Sequence, residues 1–442
     1  MSSCRENISP KTAVSAKDML QVCREYDANQ WRDPVDLEQA RRQKLAALLQ
    51  WADRHIPFYR ARFAEAGLKH GTIIGMEAFR RIPLLRREDL AHAEENGLKT
   101  AEFSCVATRT TGTSGRKLKV WISPDYGSLS VFPLWRRALK AGGLAPQDRY
   151  LRITYLGRGV YPTVGRTLDI ELRDSTEDLL AQLCANRPDA ILAIPSTLEF
   201  LGLDMLGRKI EPPESLRRIF TCGEHLNGAA RRLIRRAFQC DPVDQYSATE
   251  ISSGIAWQCE RREGYHINAD NLVVEILDDR NEPVPPGREG RLVLTDLSSR
   301  PVPIIRYDIG DRASWQEHDC PCGRTLPCLS SISGREIEWI RLSSGERLTV
   351  HDIAGAFYAV PEARQFQIRE KENGRIIVDV VMQEEGTGSR PLAELRRALM
   401  RTVLATGEWE LNPVPRIAGE LFAKRKLIVP LSKERAWGPA SG

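Results

Sequence analysis

Between Leu118 and Ser247 the chain alternates short β-rich runs with longer amphipathic ones, and this alternation restricts the fold more than any other feature. "KLKVWIS", "RYLRITYL", "DAILAIP", "RRIFTC" and "PVDQYS" read as strands, while "STEDLLAQLCANR", "TLEFLGLDML" and "NGAARRLIRRAF" carry apolar residues at helical spacing. Strands separated by helices are joined by crossovers and run parallel, so βαβ construction is expected. In such sheets ligands bind beyond the carboxyl ends of the strands.

The flanks read differently. Residues 36–54, "DLEQARRQKLAALLQWADR", and the following "PFYRARFAEAG" predict an N-terminal helical cap. From 271 to 314 the strands "NLVVEILDD", "GRLVLTDL" and "VPIIRYDIGD" follow one another around the turn-rich "RNEPVPPGREG", predicting a β-subdomain or distorted barrel. After "SISGREIEWI" come strands "ARQFQIRE" and "RIIVDVVMQ" with helices "VHDIAGAFYAV" and "PLAELRRALMRTVLA", a compact α+β unit. A chain of 442 residues is long for one domain. The expected division is a large α/β domain with its β-subdomain, residues 1–334, and a small α+β domain, residues 335–442.

Charge excludes some functions. Lys and Arg number 64 against 59 Asp and Glu, a net +5, and the two signs are interleaved, which argues against a nucleic-acid binder. No apolar run reaches the ~18–20 residues that span a bilayer, and "MSSCRENISPKTAV" lacks the apolar core of a secretory signal. A cytoplasmic protein with no membrane partner is expected. In a reducing compartment the cluster "HDCPCGRTLPC" points to metal rather than disulfides. Cys320 and Cys322, joined by Cys259 and His266 of "WQCERREGYHINAD", would complete a tetrahedral structural Zn²⁺ site, with Cys328 and His318 as alternative ligands.

Thr110, Thr111, Gly112, Thr113, Ser114 and Gly115 form a hydroxyl- and glycine-rich loop. It is no Walker A loop, and by itself it reads as a polar turn, but its hydroxyls and backbone N–H groups suit phosphoryl oxygens. Three strand ends add to it. Gly223-Glu224 ends one; Tyr246, Thr249 and Glu250 of "DQYSATE" follow another, offering an aromatic face, a hydroxyl and a carboxylate suited to Mg²⁺. Asp311 of "IIRYDIGDR" follows a third, suited to ribose hydroxyls. Together they describe a nucleotide site.

In this order the loop, "GE", "YSATE", "RYDIGD", "GR" and a basic C-terminal segment resemble the adenylate-forming superfamily of acyl-CoA synthetases. "CPCGRTLPCLSSISGR", "IRLSSGERLTVHDI" and "LLQWADRHIPFYRARF" resemble its phenylacetate–CoA ligase branch, including relatives from capsular biosynthesis, over nearly the whole chain. The resemblance implies that ATP activates a carboxylic acid as an acyl-adenylate, which coenzyme A or another acceptor (an amine, a hydroxyl, a carrier-protein thiol) then takes up. It also implies that residues 110–115 form the phosphate loop. Gly223, Glu224, Tyr246 and Ser247 would line the adenine, Thr249 and Glu250 would meet phosphate and Mg²⁺, and Asp311 and Arg335 would address the ribose or interdomain side. Lys424 would reach the forming adenylate. A homodimer and rotation of the C-terminal domain about Gly334-Arg335 are further implications. A zinc-organised interaction protein without turnover is the contrasting reading.

Three positions depart from the branch's pattern. Arg116-Lys117 stands where Lys-Pro is usual. Glu338 is the candidate for the hinge carboxylate, and Ala423 replaces a glycine before Lys424, leaving Lys426 as an alternative cation.

Overall fold

Most of the alternation produces a parallel sheet; the run "KLKVWIS" is the exception, since Lys119–Ile122 pairs antiparallel with Val106–Arg109 in a separate two-stranded sheet. Arg149–Thr154 lies between Arg166–Glu171 and Ala190–Ala193, and Arg218–Cys222 pairs with the far side of Ala190–Ala193. Ala190–Ala193 is buried throughout, as a strand covered on both faces must be. Helices Thr176–Asn186, Pro195–Arg208 and Gly228–Phe238 supply the packing, with Leu151, Ile191, Leu198, Leu201, Ile219 and Ile234 in one core. Gly202 allows the last two helices to approach closely, since a Cβ there would lie 3.1 Å from that of Ala237.

This computed structural model describes residues 15–429 except 69–74, 110–117, 155–165, 172–175, 252–253, 336–339, 343–346, 349–352, 354, 358, 361, 372–373, 383–388, 407, 416 and 418–427. The phosphate loop, Glu338, Ala423, Lys424 and Lys426 therefore lie outside the described residues. The chain divides into two compact units, residues 1–144 with 245–335, and residues 145–244 with 336–442. The division drawn from the sequence, 1–334 and 335–442, shares only the last of these borders to within a residue.

The second unit contains the parallel sheet and a separate four-stranded sheet, ordered Trp409–Pro413, Ile376–Met382, Ala363–Glu370 and Ile428–Val429, with helix Ser389–Leu399 in the same core. Arg369 and Asp379 pair across its central strands.

The first unit carries antiparallel strands in the order Leu272–Leu277, Glu289–Asp296, Tyr307–Trp315, Cys328–Arg335, Tyr265–Ile267, Ala256–Trp257 and Val243–Tyr246, the last crossing the unit border. This is a linear ladder with register shifts, where a distorted barrel was one expectation. The strand expected over "VPIIRYDIGD" starts only at Tyr307. Ahead of it Arg306 sits at φ +52°, Ile305 N–H donates to the Tyr59 hydroxyl and Arg306 N–H to Thr295 Oγ1, so these donors are not available to a ladder.

The N-terminal helices Pro34–His55 and Pro57–Glu65 match the expected cap, the first started by Asp33 accepting from Val35 N–H with Pro34 at the first turn. Helices Ala16–Asn29 and Phe132–Ala141 were not anticipated. Ala16–Asn29 buries only Cys23 and Tyr26, too few for a readable stripe, and polar contacts dock it. Arg137, fully buried, donates to Tyr26 O and forks onto Asp270 at 2.8 and 2.9 Å; Asn29 reaches the same carboxylate.

Candidate active site and metal centre

Strand Val243–Tyr246 ends at a turn that bears four of the expected nucleotide residues, Tyr246, Ser247, Thr249 and Glu250. Tyr246 O accepts from Ile255 N–H at 2.9 Å, which folds the chain back after the one-turn helix Thr249–Ile251. From this strand end the Tyr246 hydroxyl donates to the Asp311 carboxylate. Asp311 belongs to strand Tyr307–Trp315 and faces Arg335 in register, so Tyr246, Asp311 and the Arg335 backbone are brought together. Ser247 and Thr249 are half-buried on the same turn.

Glu250 is different: its side chain is 3% exposed. An isolated carboxylate there would be strongly disfavoured. Arg87 donates to its Oε1 at 2.9 Å, and the Tyr307 hydroxyl lies 3.5 Å away. Sequence reasoning missed Arg87, which lies 163 residues upstream in no recognisable motif. The turn is also braced from below. The Tyr126 hydroxyl lies 2.8 Å from Ile251 O and also meets the Asp296 carboxyl. Asp296 is fully buried, and burial pushes its carboxyl above the usual range.

Gly223 and Glu224 belong to the other unit. Gly223, at φ +81°, turns the chain out of strand Arg218–Cys222, a conformation that favours glycine. Glu224 accepts from Ser196 N–H at 3.0 Å, so its carboxylate caps helix Pro195–Arg208 at its positive end.

The four expected zinc ligands converge, with their ligand atoms all within 4.8 Å of one another. Cys259 follows strand Ala256–Trp257, His266 lies on Tyr265–Ile267, and Cys320 and Cys322 flank a turn completed by Gly323 at φ +79°. A tetrahedral site with Zn–S near 2.3 Å places two sulfurs about 3.8 Å apart. Cys259 Sγ and Cys320 Sγ are 3.7 Å apart, and Cys322 Sγ is 3.3 Å from His266 Nε2. Backbone N–H groups of Arg261 and Arg324 donate to the sulfurs of Cys259 and Cys322, favouring thiolates. Burial pulls the His266 ring down to about 4, leaving the neutral imidazole that a metal needs. Without a metal, burial pushes the Cys259 and Cys320 thiols up. The donor set and its spacing fit zinc. Cys328 Sγ lies 3.2 Å from His266 Nδ1, on the side of the ring away from Nε2. Neither it nor His318 is in the converging set.

A profile of the family described as AMP-binding enzyme matches residues 163–297. The chain is 27% identical over 350 residues to the phenylacetate-coenzyme A ligase of Thermus thermophilus, covering 76% of this chain and 78% of that one. It is 26% identical over 302 residues to the phenylacetate-coenzyme A ligase of Pseudomonas putida, covering 63% and 68%. A crystal structure of 2-hydroxyisobutyryl-CoA ligase in the postadenylation state, in complex with R3-HIB-AMP, aligns with a TM-score of 0.75 at 22% identity, covering 92% of each chain. At that identity the likeness speaks for the fold. No helix among the described residues is long and apolar enough to cross a membrane. Profile, relatives and fold, together with the order of motifs along the chain, support a place in the adenylate-forming superfamily, in its phenylacetate–CoA ligase-like branch.

Proposed function

We propose that the protein is a ligase for an aromatic or other small organic acid, activating it with ATP and passing the acyl group to coenzyme A. The observation that carries this reading is the Tyr246–Asp311 pair beside the Glu250 turn, where an aromatic face, a hydrogen-bond-accepting carboxylate and a metal-suited carboxylate meet. The acid's oxygen attacks the α-phosphorus of ATP, and the bond to the β-phosphate oxygen breaks, releasing pyrophosphate. The thiol of coenzyme A, giving up its proton, then attacks the acyl carbon and AMP leaves. No protein nucleophile is required, because making AMP the leaving group solves the poor electrophilicity of a carboxylate; the protein supplies position and charge.

In this reading Tyr246 and Ser247 line the adenine with Gly223 and Glu224, Asp311 accepts from ribose hydroxyls, and Thr249 and Glu250 face phosphate and Mg²⁺. The loop 110–115 holds the phosphates. Lys424 offsets charge on the pentavalent phosphorus. Mg²⁺, held by Glu250, would neutralise phosphate charge. Zinc on Cys259, His266, Cys320 and Cys322 would tie two strands and a turn of the first unit together rather than act in catalysis. The cytoplasm, where ATP and coenzyme A are available, is the compartment this chemistry fits.

A pyrophosphate-release screen across carboxylic acids, with and without coenzyme A, tests the proposal. Acid-dependent pyrophosphate and coenzyme A-dependent AMP support it. Pyrophosphate without any coenzyme A effect moves the acceptor to an amine, a hydroxyl or a carrier protein. Failure to bind ATP with Mg²⁺ overturns it.

A further inference from the structure

Arg87 belongs to none of the motifs, yet its guanidinium sits on the carboxylate of Glu250, with the two side chains 19% and 3% exposed. The position is built. Arg87 opens the short helix Arg87–Ala91, and the residues before it are bonded to the Asp311-bearing strand: Leu85 N–H donates to Arg306 O at 2.9 Å and Asp308 N–H to Leu85 O at 3.0 Å. Next to it Arg86 pairs with Asp308 at 2.5 Å, anchoring the same segment a second time. The Arg87 cation is therefore presented to Glu250 by the backbone.

We propose that Arg87 is a resident counter-cation that prevents Glu250 from loading a divalent ion alone, so that magnesium enters only as its complex with ATP. This rests on the reading of Glu250 as the magnesium carboxylate. A buried carboxylate needs a compensating charge at all times, and Arg87 supplies it in the nucleotide-free protein. A bare dication arriving there meets a carboxylate already neutralised and a cation beside it. The magnesium–triphosphate complex is itself an anion and is not repelled by the same guanidinium. Arg87 is a positioning residue: it acts through the carboxylate and through the order of loading.

Mn²⁺ binding to the full-length protein, followed by electron paramagnetic resonance without nucleotide, tests the idea. Arg87→Met should bind Mn²⁺ more tightly than wild type by about 5- to 150-fold, the usual range for coupled sites. Its melting temperature, lowered by the stranded carboxylate, should rise on adding Mn²⁺. Arg87→Lys should behave as wild type, and Arg87→Met/Glu250→Gln should fold without the gained Mn²⁺ site. Equal Mn²⁺ affinity in wild type and Arg87→Met overturns the proposal, as does a gain in Arg87→Lys equal to that in Arg87→Met. If Arg87→Met does not fold, an Arg87→Gln that folds without gaining Mn²⁺ overturns it equally. The pyrophosphate assay on wild type reports the ligase reading separately, so either can fail while the other stands.

Discussion

Arg306 is the residue whose loss should disturb the most structure with one substitution. Its guanidinium forks onto Glu275, with Nε and one terminal nitrogen each 3.0 Å from a carboxylate oxygen, and the side chains are 3% and 7% exposed. The remaining nitrogen donates to Ile82 O at 2.6 Å and to Arg80 O, tying the 80–87 segment to the strand that carries Asp311. In Arg306→Met, Glu275 becomes a buried carboxylate without its partner. Removing one member of a buried pair costs about 3–5 kcal/mol. For a unit of this size, at about 2–4 °C per kcal/mol, the midpoint should fall by roughly 10 °C.

The deficit should depend on pH. Burial already raises the Glu275 carboxyl above its usual range despite Arg306, and the substitution raises it further. A carboxyl whose folded pKa exceeds its unfolded one favours the fold while protonated and loses that benefit as pH rises through the folded value. Arg306→Met should thus be more destabilised relative to wild type at pH 8 than at pH 5. Urea denaturation at both pH values measures this. Arg306→Met/Glu275→Leu, which strands no charge, should recover most of the loss. A cost below about 1 kcal/mol for the single substitution, or a double variant no more stable than the single one, would refute this role of Arg306.

Purified protein should contain about one zinc per chain; Cys320→Ser should bring this below ~0.2, whereas Cys328→Ser should retain the metal, both read by elemental analysis. Lys424→Ala should slow acid-dependent pyrophosphate release by about 10²- to 10³-fold while sparing thioester formation from supplied acyl-adenylate, and an unchanged rate would refute its role. Tyr246→Phe, which loses the bond to Asp311, should raise the KM for ATP about tenfold, near 1.4 kcal/mol; steady-state kinetics showing a fall in kcat alone would count against it.

Legibility in the sequence followed the range of the forces. Three strands of the parallel sheet, Arg149–Thr154, Ala190–Ala193 and Arg218–Cys222, and its helices are announced by apolar periodicity, a local property, and the structure places them within a few residues of where the runs lie. The convergence of Cys259, His266, Cys320 and Cys322 was readable too, because clustered Cys and His in a reducing compartment point to a shared site. The helix Ala16–Asn29 was not, since Arg137 and Asp270 hold it where an apolar stripe would ordinarily do so. Arg166–Glu171 was also missed: it is a mostly exposed strand in which Ile170 is the one described side chain fully inside.

The sequence by itself thus determined the βαβ construction, the antiparallel run after it, the thiol-imidazole set and the family resemblance, all of which depend on pattern and order along the chain. Only the tertiary structure decided that Tyr246 bonds Asp311, that Arg87 neutralises Glu250, and that Tyr126 and Asp296 brace the turn between them. Each is a pairing of polar groups across tens to hundreds of residues. Such partners leave no periodic trace, because what selects them is the cost of burying a charge or a hydroxyl without one.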